Sequence, residues 1–246
     1  MIEPDVVDVP GGEFAMGDVW GDGEPDEQPL MTRRMEPFQM GRFAVTALEY
    51  VEFLNSIQSD RSEDGQLLAC VEHEKSPFGR AGKKFCCRDG RERYPATFVS
   101  WWGAREYASW LSSDLGQTFR LPTESQWQYA STGAQGLKWS LGNHFDRDRY
   151  VSGADGPAPV DFGTHSLFGC YNLTGNVFEW CADEYSFRLD ASTGPRDTLN
   201  HHRVIKGGAF ILSDAANLRN SKRFSCFQNS CLSSIGFRIV SLKKSL

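Results

Sequence analysis

Residues 171–180 read Tyr-Asn-Leu-Thr-Gly-Asn-Val-Phe-Glu-Trp. This short stretch holds a side-chain amide oxygen (Asn172), backbone carbonyls around a glycine (Gly175) and a carboxylate (Glu179). Hard oxygen donors on a tight turn are what Ca²⁺ prefers. The same residues also describe an Asn/Gly turn whose glutamate pairs with a buried arginine. Both readings stay open on the residues alone.

Outward from that turn, the spacing predicts three helices. The first follows Thr46 as N-cap, with Tyr50, Val51, Leu54 and Ile57 on one face. The second starts at Ser100 and ends at Gly116, with Trp101, Ala104, Ala108, Leu111 and Leu115 as its apolar stripe. The third begins at Thr123, whose partner Gln126 completes a capping box; Trp127 and Ala130 point inward and Gly133 closes it. Strands are expected at 11–17, 38–45, 203–210 and 235–242, and the rest reads as long loops. Loops of that extent persist only when buried tryptophans, hydrogen-bonded Asn and Asp, or ions anchor them. No repeat or linker divides the chain, so residues 1–246 are expected to form one domain.

Composition excludes several classes. With 246 residues, 40% apolar and 24% charged, the chain fits a soluble globular protein able to bury a full core. Its 26 basic and 32 acidic side chains give a net charge of −6, against the basic excess of a nucleic-acid binder. No apolar run reaches the length of a membrane span. The opening MIEPDVVDVP lacks an apolar signal core, so a location in the cytoplasm or on a virus particle is expected. The cysteines at 70, 86, 87, 170, 181, 226 and 231 show no C-x-x-C spacing and are expected as free thiols. Cys226 and Cys231 are the pair whose separation lets them approach.

Common enzyme signatures are absent: no G-x-S-x-G elbow, no phosphate-binding G-x-x-x-x-G-K-[ST], and no H-E-x-x-H. The acidic run Asp18, Asp22, Glu24, Asp26, Glu27 has Pro29 where a calcium loop needs a bidentate glutamate, and it reads as a solvated loop. His201-His202 reads as surface or turn.

Several further segments fall in a recognisable order: VPGGEFAMGD (9–18), PFQMGRFAVTALEYVEFLN (37–55), YPATFVSWWGAREYASWL (94–111), FRLPTESQWQYAS (119–131), RVIKGGAF (203–210) and GFRIV (236–240). Together with YNLTGNVFEW, they resemble the formylglycine-generating enzyme (sulfatase-modifying factor) family across nearly the whole chain. The resemblance implies an α+β, C-type-lectin-like fold, loop-rich with few regular elements. It also implies a structural Ca²⁺ held by Asn172, Gly175, Val177 and Glu179. The family's second calcium loop has no counterpart between Trp139 and Phe168. The family's oxidase binds Cu(I) through two cysteines after the GG strand; here those positions are Leu212 and Asn217, and neither can ligate copper. No copper cofactor and no copper-dependent catalysis is therefore expected.

The C-terminal segment is most similar to the variable proteins of diversity-generating retroelements, which share this fold. In those proteins, adenine-directed mutagenesis of AAY codons excludes Met, Trp, Lys, Gln and Glu from diversified positions. Within 207–236, a constant frame (GGAF, AANLRNSKR, Gln228, IGFR) alternates with clusters. These are Ile211, Leu212, Ser213 and Asp214; Phe224, Ser225, Cys226 and Phe227; then Asn229, Ser230, Cys231, Leu232, Ser233 and Ser234. None is an excluded type. The clusters show no period of 2 or 3.6, and apolar residues among Ser and Asn describe a recognition surface. Arg219, Lys222, Arg223 and Arg238 are expected to brace the frame through buried ion pairs. The expected function is non-catalytic binding of a protein or cell-surface ligand, without nucleic acid or membrane insertion. The alternative is a copper-free oxidoreductase, using Cys226, Cys231 or a histidine, or a regulatory paralogue.

Overall fold

Each helix begins where the sequence offers a side-chain cap. Thr46 and Thr123 accept from the amides of Glu49 and Gln126, whose side chains reach back to the cap, and Ser100 accepts from the Gly103 amide. In the computed structural model, which describes residues 3–190 and 198–242, these caps open α1 (Ala47–Ile57), α2 (Trp101–Leu115) and α3 (Glu124–Thr132). Gly116 ends α2 in the left-handed conformation. The predicted apolar stripes are buried except at their C-terminal ends, where Ile57 and Leu115 are exposed. Met1 and Ile2 of the opening stretch lie outside the described residues.

The strands are short. In chain order they are β1 (Val6–Val9), β2 (Gly12–Met16), β3 (Met31–Met35), β4 (Phe38–Gly41), β5 (Phe78–Ala81) and β6 (Lys84–Cys87). Then come β7 (Phe119–Arg120), β8 (Phe178–Ser186), β9 (Thr198–Lys206), β10 (Phe224–Phe227), β11 (Ile235–Gly236) and β12 (Val240–Leu242). One sheet, β1-β4-β12-β7, joins the two ends of the chain, with Met40 opposite both Val7 and Val240. The other, β10-β9-β8-β11, carries the C-terminal segment. β2–β3 and β5–β6 are hairpins. The strand expected at 38–45 stops at Gly41, that at 203–210 ends at Lys206, and that at 235–242 splits into β11 and β12.

The decisive stretch 171–180 runs from a turn into β8, paired to β9 on one side and parallel to β11 on the other. Phe178, Glu179, Trp180 and Cys181 are all buried, as a central strand covered on both faces requires. Trp180 joins a core with α1, α2 and Phe237; Trp127 of α3 joins a second with β1, β4 and Cys181. Replacing either tryptophan with alanine would cost about 3–5 kcal/mol. A small third cluster, Trp139, Tyr150 and Leu218, lies under the loop after the GG strand. Among the described residues, no helix is long and apolar enough to cross a membrane.

Candidate functional site

Past β9 the chain turns on two glycines, at φ of 93° for Gly207 and 71° for Gly208. A Cβ on Gly208 would meet Leu218 Cδ2 at 2.4 Å, so only glycine fits this left-handed turn. The 171–180 turn holds it from below: the Gly175 amide donates to Gly207 O at 2.8 Å, and the Phe210 amide to Asn176 O at 2.8 Å. The chain then forms a loop over 211–218, β10, and a turn over 228–234.

Buried arginines fix these segments to the scaffold. Arg219 donates from Nη1 and Nη2 to the two oxygens of Glu27, at 2.8 Å each. Arg223 donates to Glu124 at 2.6 and 3.0 Å, and to the carbonyls of Asp26 and Ser186. Arg238 donates to both oxygens of Glu179 at 2.6 and 2.7 Å. Lys222, less buried, lies 3.4 Å from Glu24. The expected bracing through buried ion pairs holds for the three arginines, whereas Lys222 meets an exposed glutamate.

The acidic run 18–27 differs from the solvated loop expected. Asp18 and Glu27 are buried, and Asp18 accepts from the amides of Trp20 and Gly23. The run is folded around Arg219, a partner 192 residues downstream of Glu27 that local sequence does not reveal. Burial pushes the Glu27 carboxyl up, but hydrogen bonds from Arg219 and the Glu24 amide outweigh it and hold its pKa below normal. Next to Glu124, burial and then the Glu124 charge push the Asp183 carboxyl up, while burial pulls the Lys206 ammonium down.

The fourteen candidate contact residues separate into exposed, half-buried and buried positions. Ile211, Ser213, Asp214, Phe227, Asn229 and Leu232 are exposed, with Ile211 at 55%, Phe227 at 42% and Leu232 at 46%. Ser234 is buried, and its carbonyl accepts from the Phe178 amide at 2.8 Å. Leu212, Ser225, Ser230, Cys231 and Ser233 are half-buried, and Leu212 packs on two cores. Phe224 and Cys226 also pack against the main core, with the Phe224 ring 5.0 Å from that of Phe178. The expectation that 224–227 lacks alternation is thus corrected: β10 alternates, Phe224 and Cys226 inward, Ser225 and Phe227 outward. A run of four residues is too short to show period 2 before its partner is known. β10 pairs with β9, placing Phe227 opposite His202.

Side chains that the sequence reading did not assign to the site lie beside the exposed group. The rings of His201 and His202 lie 6.2 and 6.0 Å from that of Phe227. Trp102 donates from Nε1 to Asn229 Oδ1 at 2.8 Å, under the guanidinium of Arg105. The available signal was a second tryptophan off the α2 stripe. Beside Ile211 and Ser233 opens a cleft of about 520 Å³, with Arg88, Arg91, Phe98 and Asp155 among its walls. Asp214 has a structural task too: its carboxylate accepts from the Ala216 amide and caps the turn Ala215–Leu218. Of Leu212 and Asn217, the two positions expected to lack copper-binding thiols, Leu212 precedes that turn and Asn217 lies within it.

The 171–180 turn takes the ion-paired arrangement. Asn172 and Asn176 adopt left-handed φ of 55° and 62°. The Asn172 amide nitrogen donates to Val160 O, and both amide atoms of Asn176 bond the backbone of Ala158. Glu179 is buried, paired to Arg238, and accepts a further bond from Trp127 Nε1 at 2.7 Å. Of the four expected calcium donors, Asn172, Gly175, Val177 and Glu179, only Glu179 carries charge, and Arg238 already neutralises it. This donor set does not fit a Ca²⁺ ion as the side chains stand.

Comparison with known proteins places these features. A family model described as the sulfatase-modifying factor enzyme 1-like domain matches residues 2–243. The serine/threonine-protein kinase Pkn1 of Chlamydia trachomatis serovar L2 is 30% identical over 95% of this chain but only 38% of its own length. The chain thus spans somewhat over a third of such relatives. The formylglycine-generating enzyme of Streptomyces coelicolor is 28% identical, over 94% of this chain and 87% of that protein. The inactive Cα-formylglycine-generating enzyme 2 of Bos taurus is 27% identical, over 96% and 87%. Among solved structures, PvdO from Pseudomonas aeruginosa superposes with a TM-score of 0.77 at 23% identity, covering 98% of this chain and 95% of that one. Treponema denticola variable protein 1 does so with 0.73 at 18% identity, covering 97% and 95%. The fold is therefore the mixed, loop-rich fold of these proteins, which the motifs imply to be C-type-lectin-like, in a family that holds both enzymes and inactive paralogues. The chain belongs to the sulfatase-modifying factor enzyme 1-like family.

Proposed function

We propose that this chain is a non-catalytic binding protein whose C-terminal loops recognise a protein or cell-surface ligand, on a frame that tolerates replacement of the contact residues. The observation that carries the reading is the pairing of exposed Ile211, Phe227 and Leu232 with a frame of buried arginine–carboxylate pairs. Apolar anchors of this kind supply affinity, while Ser213 and Asn229 supply adaptable hydrogen bonds. Rigid presentation lowers the ordering cost of binding. The fold shared with a protein named as variable supports the reading.

The oxidoreductase alternative draws less support. Burial raises the Cys226 and Cys231 thiols, the reverse of what a nucleophilic or redox-active cysteine needs. Sequencing the kilobases around the gene tests the proposal. A near-copy of the segment encoding 203–240, with adenines at mismatched codons and a reverse transcriptase beside it, is the expected result. Sibling genes with Met or Lys codons at the contact positions would overturn it.

A further inference from the structure

Three stretches of chain wall the cleft beside Ile211, and hydrogen bonds fix each of them. The turn 88–91 folds onto 73–78. The Arg88 amide donates to Pro77 O at 2.9 Å, and its guanidinium donates from Nε to Phe78 O at 2.9 Å and from Nη2 to His73 O at 3.2 Å. The loop 153–157 is tied to the contact loop, with the Gly153 amide on Leu212 O and the Ala154 amide on Phe210 O, both at 2.8 Å. On the third side the Phe98 amide donates to Leu232 O at 3.0 Å, next to Ser233. Phe98 is buried at a φ of 58°, a left-handed conformation that a bulky side chain adopts only where its surroundings impose it.

The charges on these walls are unmatched. Lys75, Arg88 and Arg91 line the cleft together with Glu74 and Asp155, and none of the five forms an ion pair among the described residues. The exposed Arg91 guanidinium lies over the Tyr94 ring at 4.4 Å. An arginine stacked in this way keeps its planar fork of donors for a carboxylate. Three cations against two carboxylates leave a surplus of one positive charge, which a monoanion neutralises and a dianion overshoots.

We propose that this cleft is a binding site for an acidic peptide segment. Arg91 holds one aspartate or glutamate carboxylate through a bidentate pair, Arg88 and Lys75 add to the positive field, and the adjoining apolar side chain of the peptide packs on Ile211 beside Phe98. Arg88 and Arg91 lie outside the fourteen candidate contact positions, so the cleft adds a charge requirement to the surface. The inference deepens the binding reading and rests on it in one respect, that Ile211 is a contact residue.

The test titrates the intact, isotopically labelled protein at low ionic strength with N-acetyl-aspartyl-leucine amide, followed by NMR. Its neutral isostere, N-acetyl-asparaginyl-leucine amide, and inorganic phosphate are titrated in parallel. The expected result is saturable shifts of the Arg91 Nε–H and Ile211 amide signals with the aspartyl peptide, and binding at least about tenfold weaker for the asparaginyl one. Added salt weakens the aspartyl complex. Arg91→Met, at an exposed position, keeps the wild-type Tm and loses affinity by the same factor. Lys83→Met removes a cation from the β5–β6 turn, outside the cleft, and changes neither. No saturable shift with the aspartyl peptide, equal affinity for the two peptides, tighter binding of phosphate, or full affinity in Arg91→Met would overturn the inference. Ile211→Ser tells the two readings apart. A weakened aspartyl complex supports both, whereas an unchanged complex that still needs Arg91 supports the carboxylate site and overturns the contact role of Ile211.

Discussion

Glu179 meets two buried donors, Arg238 and Trp127, at distances of 2.6 to 2.7 Å. A buried pair of this kind is costly to break from one side, because the partner is left charged and dry. Glu179→Gln is expected to destabilise by about 3–5 kcal/mol, read from the urea midpoint at constant m-value. The same geometry makes a prediction about calcium: a millimolar Ca²⁺ addition leaves Tm unchanged, since the carboxylate is already neutralised. A rise of several degrees would show that Glu179 changes partners to bind the ion. Glu27 adds a pH dependence. Its folded pKa is depressed, so its stabilisation is present above the unfolded carboxylate value and is lost as pH falls through the folded one. Tm measured through the acid range should therefore fall more steeply in the wild type than in Glu27→Gln, which starts lower at neutral pH. The residue-level roles were partly legible. A carboxylate after a tight turn pointed to either a cation or an arginine; choosing between them needs Arg238, which lies 59 residues away.

β10 separates the two fates of its aromatic residues. Phe224 faces the main core against Phe178, and Phe227 faces out between two histidines. Phe224→Ala is expected to cost about 2 kcal/mol, the half-buried part of a full core truncation. Phe227→Ala is expected to cost no more than about 0.5 kcal/mol, as a surface change. Chemical denaturation of the two variants side by side checks the assignment; equal losses would place both rings in the core. The helices were readable because capping is local: Thr46 with Glu49 and Thr123 with Gln126 are three residues apart. The strands were less so. β10 owes its existence to pairing with β9, and β8 hides its alternation because both faces are covered.

At the scale of the molecule, the first and last strands share one sheet, and the proposed contact loops hang from the other. Three ion pairs join those loops to elements far away in sequence: Arg219 to Glu27, Arg223 to Glu124, Arg238 to Glu179. The motifs made the fold visible across nearly the whole chain, because the residues that define them are the ones packed in the cores and turns. The contact surface was harder to delimit, since half-buried Leu212 and Phe224 have the same composition as exposed Ile211 and Phe227. The central claim is that the frame holds its shape while the surface residues change. Its most direct measurement is the thermal unfolding of a variant with Ile211, Phe227 and Leu232 all replaced by serine, beside a variant with Arg219→Met. The account predicts a Tm within about 3 °C of wild type for the triple variant, and a loss of about 6 °C or more for Arg219→Met. A loss in the triple variant as large as that of Arg219→Met would contradict it, because the exposed residues would then be part of what holds the fold together.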